Sequence, residues 1–314
     1  METTLIYFII IALLSLLVIL KSASYAITAI AHYARKTGIS DYIIGFLVIS
    51  IGTSFPELTT GITSSWINRG ELVLGDIIGG NIIDLTLVLG LMAIIARKIY
   101  VKGEIIKKTI PSLVIMVLLP IILSLDGILS RIDGTILLIA YLAYIYLLIR
   151  KEGEIGHVKK QVELRSIILD MVIFIIALIA LLLSVRWLVF SSVMISDILN
   201  IPIFLFGLIF VAICTTTPEL TVGIKAILKG RTNIGFGDIL GAVVTNLSLV
   251  LGISSLIKPI ALDRFEFIAA SLFMLFGLFF VIYLIRKEEV NWQHGIIALM
   301  IYIAFILFEV ITHL

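Results

Sequence analysis

GFLVISIGTSFPELTTGITSSWINRGELVLGDIIGGNIIDLTLVLG, residues 45–90, decides the fold, because the chain carries this stretch twice. A shift of 162 residues lays it without a gap on residues 207–252, GLIFVAICTTTPELTVGIKAILKGRTNIGFGDILGAVVTNLSLVLG. Thr53 falls on Thr215, Pro56-Glu57-Leu58-Thr59 on Pro218-Glu219-Leu220-Thr221, Gly61 on Gly223, Gly75-Asp76 on Gly237-Asp238, Gly79 on Gly241 and Leu89-Gly90 on Leu251-Gly252. Such register over this length requires the duplication of one ancestral unit. Each copy sets a carboxylate, hydroxyls and a proline inside segments otherwise apolar enough to span a bilayer. An ionisable group there is expensive to hold and marks function.

Composition fixes the solvent. Hydrophobic residues make up 61% of the 314, charged ones 14%, and the mean hydropathy is +1.22, values of an integral membrane protein. A net charge of +2 points to neither nucleic acid nor an acidic protein as partner, and no obligate protein partner is evident. Cys214 is the single cysteine, so no internal disulfide can form. The apolar run from Leu5 to Ala34 is too long for a signal-peptide core and lacks a basic start and a small-residue cleavage site. It is expected to stay in the membrane as a helix.

Ten spans are expected, at roughly residues 5–34, 41–68, 71–96, 106–125, 132–149, 166–194, 200–228, 233–257, 264–285 and 291–312. Each has about the 20 residues that a hydrocarbon core of ~30 Å demands. The fold expected is therefore all-α and membrane-embedded: residues 1–150 as a first five-helix repeat, 151–165 as a cytoplasmic linker and 166–314 as the second repeat. Seventeen Lys and Arg residues follow spans 1, 3, 5, 7 and 9, against only Arg69, Arg131, Lys258 and Arg264 on the other side. By the positive-inside rule the N-terminus lies outside the cell membrane and the 151–165 loop in the cytoplasm. Five spans separate the two copies, an odd number, so the repeats face opposite ways, an arrangement that offers one midplane site alternately to either side.

The chemistry of the repeated segments is oxygen chemistry. Pro56 and Pro218 each deprive a carbonyl one turn earlier, Gly52 or Cys214, of its helical donor. Thr53 and Glu57 share a helix face, as do Thr215 and Glu219. Asp76, Gly80 and Asp84 form one stripe, matched by Asp238, Ala242 and Asn246. With no histidine or cysteine cluster for zinc or copper, the donors are all hard oxygens, the set taken by Ca²⁺ at about 2.3–2.6 Å and, in smaller subsets, by Na⁺. Glu57 and Glu219, each one residue after a mid-span proline, are the first candidates to bind an ion, with Asp84 next. Asp76 and Asp238 stand nearer the start of their spans, as possible proton or secondary cation sites, and Glu309 near the end of span 10 reads as interfacial.

These motifs, Gly52-Thr53-Ser54-Phe55-Pro56-Glu57 and Thr215-Thr216-Thr217-Pro218-Glu219, each followed by Gly-Asp-x-x-Gly, resemble the two alpha repeats of the sodium/calcium exchangers of the calcium/cation antiporter superfamily. The resemblance covers the whole chain in layout. It implies that spans 2, 3, 7 and 8 enclose the ion sites and that the long spans 1 and 6 slide across them to alternate access. By position the ligands it implies are Thr53, Ser54, Glu57 and Asp84, then Thr215, Thr216, Glu219 and Asn246, with the carbonyls of Ser50 and Ala212. The transported ions would be Ca²⁺ and Na⁺, with no cofactor and no enzymatic activity.

This chain departs from the pattern in ways that bear on coupling. Prokaryotic members usually read Gly-Asn-x-x-Gly-Ser, where this chain has Asp76 and Asp238 for the asparagines and Gly80 and Ala242 for the serines. The acid and amide at Asp84 and Asn246 are exchanged relative to the usual order. Three central carboxylates survive to balance Ca²⁺, while the missing hydroxyls and extra aspartates leave H⁺ as an alternative coupling ion. Two other classes share a feature with the chain. Gly235-Phe236-Gly237-Asp238 matches the Gly-x-Gly-Asp of intramembrane aspartyl proteases, without their Tyr-Asp or Pro-Ala-Leu motifs. A channel would lack the obligatory coupling that inverted repeats supply.

Overall fold

The computed structural model describes residues 2–36, 49–101, 104–152, 164–230 and 232–313. The start of the second expected span, most of the 151–165 linker and Arg231 lie outside them.

Within the described residues helices occupy the apolar runs. In the first half these are α1 (Glu2–Lys36), α2 (Ser50–Thr53), α3 (Phe55–Trp66), α4 (Gly70–Ile83), a π-helical turn π1 (Asp84–Val88), α5 (Leu89–Ala96), α6 (Glu104–Leu123) and α7 (Arg131–Glu152). The second half repeats the order with α8 (Leu164–Leu199), α9 (Ile203–Phe206), π2 (Gly207–Val211), α10 (Ala212–Thr215), α11 (Thr217–Leu228), α12 (Thr232–Val244), π3 (Thr245–Val250), α13 (Leu251–Ile257), α14 (Arg264–Lys287) and α15 (Trp292–His313). Among the described residues seven helices are long and apolar enough to cross a membrane, and an eighth crossing is a pair, 203–215 and 217–228, bent by 40°. The remaining expected spans are shorter here: α6, apolar over 109–123, and the α2–α3 pair, whose beginning is not described.

Lipid-facing and protein-facing helices separate by burial. The apolar windows of α4–π1–α5 and α12–π3–α13 are 83% buried, against 17% for the window in α1. The repeat motifs thus form the core. The 35-residue α1 and the 36-residue α8 lie against each other on its flank and turn Leu13, Leu14, Leu17, Ile175, Ile176 and Ile179 outward. An apolar surface of this extent is that of a chain solvated by lipid.

Two short strand pairs tie the repeats together. β1 (Lys98–Tyr100), after the third expected span, pairs antiparallel with β4 (Glu289–Asn291), after the ninth. β2 (Ile128–Leu129), after the fourth, pairs with β3 (Ile260–Ala261), after the eighth. Strands that pair must lie on one face, so loops of equal parity meet, as the ten-span layout requires. On the β1–β4 face, Lys98 Nζ stands 3.0 Å from Glu289 Oε1, and that hydrogen bond holds Glu289 below the usual carboxylate range and Lys98 above the usual lysine range. The pair's contribution is fully present between the unfolded values of about 4.3 and about 10.4. It is lost as pH falls through the depressed Glu289 value or rises through the raised Lys98 one. Because both groups are exposed, Glu289→Gln should lower the melting temperature only slightly, and the difference should vanish in about 1 M salt.

Candidate functional site

The site begins at two helix breaks. α2 ends at Ser54, whose backbone (φ −75°, ψ 5°) leaves the helix, and α3 restarts with Pro56 in its first turn. Proline is at home there because its missing N–H would be unpaired in any case. The second repeat does the same at Thr216, with Pro218 in the first turn of α11. The prolines therefore open new helices instead of kinking old ones. The carbonyl of Gly52, expected to be free, is met by a backbone N–H of the helix cap. Glu57 and Glu219 consequently sit in the first turns of α3 and α11, ends whose N–H groups favour negative charge.

The two repeats interlock through their polar side chains. Thr53 Oγ1 donates to Asp238 Oδ1 at 3.2 Å, and its counterpart Thr215 Oγ1 donates to Asp76 Oδ1 at 2.8 Å. Each threonine thus holds the aspartate of the other repeat. Asp76 and Asp238 are 1% and 0% exposed, so they belong to this centre and do not cap the starts of their helices. The carboxylate of Glu57 lies within electrostatic range of Glu219, Asp76 and Asp84. Ser54 and Thr216 are buried at the breaks. The carbonyls of Ser50 and Ala212 accept the backbone N–H of Ser54 (2.9 Å) and Thr216 (3.0 Å), and the hydroxyls of Thr53 (3.1 Å) and Thr215 (3.2 Å) lie within hydrogen-bonding reach of the same two oxygens.

Acceptors outnumber donors here. Both oxygens of Glu57, Asp84 and Glu219, and one oxygen each of Asp76 and Asp238, are buried without a protein hydrogen-bond partner; so are Asn246 Oδ1, Ser54 Oγ and Thr216 Oγ1. Unpartnered acceptors at this density are tolerable only if cations or protons neutralise them. Among the described residues no three of His, Cys, Asp and Glu stand close enough to chelate an ion alone. Hydroxyl, amide and carbonyl oxygens must complete any coordination shell, as the mixed donor set at the breaks allows.

Sequence reasoning missed Asn81. It is fully buried, and its Oδ1 accepts Asn246 Nδ2 at 3.4 Å, while Asn246 Oδ1 has no protein partner. Its repeat counterpart is Val243, so the internal repeat gave no signal for it. The π-helical turns were missed as well: Asp84 opens π1, and Asn246 lies in π3. An inserted residue of this kind re-aims side chains and recurs at functional sites. Glu309, expected at the interface, is 1% exposed; α14 packs alongside, with Phe273 against Phe305 and Phe308, and covers that turn of α15.

The surroundings of the two breaks differ. α8 lies along α3, whereas between their counterparts α1 and α11 a cleft of about 90 Å³ is lined by Leu20, Ser24, Pro218, Thr221, Val222 and Lys225. It reaches Pro218, the neighbour of Glu219.

The sodium/calcium exchanger protein family model matches residues 7–150 and 169–311. The inner membrane protein YrbG of Escherichia coli is 32% identical over 261 residues, covering 80% of each chain. Sodium/calcium exchanger MaX1 of Methanosarcina acetivorans is 23% identical, over 94% of this chain and 96% of that one. A solved structure of the sodium-calcium exchanger NCX_Mj, soaked with Na⁺ and Sr²⁺, superposes with a TM-score of 0.72 at 25% identity, over 96% of this chain and 97% of the other.

Proposed function

Because the chain belongs to the sodium/calcium exchanger protein family, we propose that it is a secondary antiporter that moves Ca²⁺ against a monovalent cation, Na⁺ in the first instance, by alternating access. The observation that carries the reading is the set of buried carboxylate oxygens that no protein donor meets, contributed by both repeats around two matched helix breaks. Glu57, Glu219 and Asp84 supply the charge for Ca²⁺. Thr53, Ser54, Thr215, Thr216, Asn246 and the carbonyls of Ser50 and Ala212 complete the shell. Three uncompensated carboxylates resist transfer through a dry barrier, so the carrier crosses between its two orientations only when one substrate or the other neutralises them. That makes exchange obligatory. The repeats run over residues 1–150 and 166–314, and the N-terminus lies outside the cell membrane with the linker in the cytoplasm. The cleft beside Pro218 would then open on the cytoplasmic side.

Coupling to H⁺ is the second reading, favoured by Asp76 and Asp238, which replace neutral residues of the usual pattern and keep one oxygen each without a donor. Of the protease-like match at Gly235–Asp238, the Gly-Asp pair recurs in the first repeat as Gly75-Asp76, and Asp238 lies against Thr53 just as Asp76 lies against Thr215. Purified protein in sealed liposomes tests both readings. Ca²⁺ uptake driven by an imposed Na⁺ gradient supports the first, and uptake driven only by a pH gradient supports the second. Uptake under neither overturns exchange.

Two sets of substitutions sharpen the site. A Cβ on Gly80 would meet only Thr216 Oγ1, at 3.2 Å, so a serine there fits and faces a ligand position. Gly80→Ser/Ala242→Ser should strengthen Na⁺ competition against bound Ca²⁺ by ~1 kcal/mol per hydroxyl, about fivefold each. The measurement is Ca²⁺ binding titrated with NaCl at fixed ionic strength; an unchanged midpoint would mean these positions do not face the ion. Asp84→Asn should weaken Ca²⁺ strongly and Asn246→Asp only mildly, because the first alone removes a charge. Equal effects in a Ca²⁺ titration would remove Asp84 from the shell.

A further inference from the structure

Among the side chains assigned to the ion shell, Asn246 alone is an amide, and an amide has a wrong end. Its carbonyl oxygen can meet a cation, whereas its NH₂ group carries only donors. Asp84, at the counterpart position of the first repeat, has two equal oxygens and no such choice to make. The centre of the protein draws the wrong end inward. Both oxygens of Glu57, Asp84 and Glu219 are buried without a protein donor, so an amide free to turn would give its NH₂ to one of them and stand where a cation should go. Asn246 has to be held the other way round.

Asn81 is placed to do so. It lies near the end of α4, in the opposite repeat, fully buried, and its Oδ1 accepts Asn246 Nδ2 at 3.4 Å. The pairing leaves Asn246 Oδ1 as an acceptor with no protein partner, which is what a cation needs. Two facing amides can pair in either of two senses, and Asp84 selects this one. It follows Asn81 by three residues, a neighbour on the helix surface, and its unpartnered oxygens favour the Asn81 NH₂ on their side, which leaves Asn81 Oδ1 for Asn246. The π3 turn is fastened as well, since Oη of Tyr141 on α7 stands 3.3 Å from Oγ1 of Thr245, the residue before Asn246. The duplication supplies neither device to the other repeat. Val243 stands for Asn81, Ile83 for Thr245 and Ile303 for Tyr141. The turn that carries an acid needs no orienting, and the turn that carries an amide has both.

We propose that Asn81 is a positioning residue of the ion site: it takes the Asn246 N–H and so presents the Asn246 carbonyl oxygen, in one fixed sense, to an ion held by Glu57, Glu219 and Asp84. The role rests on the exchange reading for the ion and adds to it a residue that acts through Asn246. Without Asn81 the shell loses an oxygen and gains a donor, and every cation that binds must first break the new hydrogen bond to a carboxylate. A bond of that kind is worth about tenfold in affinity.

Asn81→Leu keeps the branched shape and removes the acceptor. Ca²⁺ titration of the purified protein should show a dissociation constant raised about tenfold, and uptake into liposomes should show the KM for Ca²⁺ raised with a smaller change in maximal rate. Asn81→Asp, which keeps an oxygen for Asn246, should bind Ca²⁺ no more weakly than the unaltered protein. In an Asn246→Ala background Asn81→Leu should cost nothing further, because no amide is left to orient. An unchanged affinity in Asn81→Leu, or an equal loss with and without Asn246, would overturn the proposal; the second would show that Asn81 acts by the space it fills or by a contact of its own. If the leucine is not accommodated, as a fallen melting temperature would show, Asn81→Ala removes the same acceptor and the cycle is read with it. A protein that binds no Ca²⁺ before any substitution would sink the exchange reading and this role with it, whereas normal binding that ignores Asn81→Leu sinks the role alone.

Discussion

Glu57→Gln and Glu219→Gln are each expected to abolish Ca²⁺ exchange in a protein that stays folded. Glutamine keeps the shape of the side chain and one carbonyl oxygen but removes a charge from a site where both carboxylate oxygens have no protein donor. Removing one member of a desolvated charged contact costs about 3 kcal/mol or more, over a hundredfold in affinity. The folded protein should not suffer, because a neutral amide is easier to bury than a carboxylate. Gel filtration and thermal unfolding in detergent check the fold, and Ca²⁺ binding with liposome uptake checks the loss. Near-normal uptake by either variant would remove that glutamate from the site. The two should fall together, since the repeats contribute equivalent positions.

Gly79→Ala should be among the most disruptive single methyls at the described glycines. A Cβ there would stand 2.1 Å from the carbonyl oxygen of Leu208 and 2.9 Å from Cβ of Ala212, so α4 and the π2–α10 segment would have to part. Backbone atoms cannot rotate aside, and overpacking of this kind costs about 1–3 kcal/mol, occasionally more. Ala212 is a proposed ligand position, so the displacement should reach the site as well. Gly80→Ala is the matched control, because its new Cβ would meet only a threonine hydroxyl at 3.2 Å. The expected outcome is a marked fall in melting temperature and in Ca²⁺ affinity for Gly79→Ala, and no marked fall in melting temperature for Gly80→Ala. Equal melting temperatures would refute the close approach.

The gross fold was legible because lipid makes hydropathy a strong constraint, and the duplication singled out polar residues that the structure brings together. Glu57 and Glu219 stand out from spacing alone, and the structure buries both. Depth did not: the span was expected from residue 71 and α4 does begin at Gly70, but its start alone does not say that Asp76, six residues in, is enclosed by the other repeat. Contacts between distant segments were also out of reach. Nothing adjacent to Asn81 in the sequence points to Asn246, and nothing near Thr53 points to Asp238. Glu309 was misread because distance from a span's end says nothing about a neighbouring helix that covers it. The proline effect was misjudged for a local reason, since the same residue that breaks a helix interior is favoured in a first turn.

The strand pairs and the Gly79 contact also bear on how the protein is made. β1 at Lys98–Tyr100 has no partner until β4 at Glu289–Asn291 has been synthesised, and Gly79 has no surface to close on until Leu208 arrives. At about 5–20 residues per second the intervening chain takes roughly 10–40 s to emerge. During that interval the first five helices hold Glu57, Asp76 and Asp84 in a bilayer without the threonine and helix faces that later enclose them. The nascent half must therefore wait beside the insertion machinery or with its acids protonated, and its committed fold dates from the arrival of the second copy.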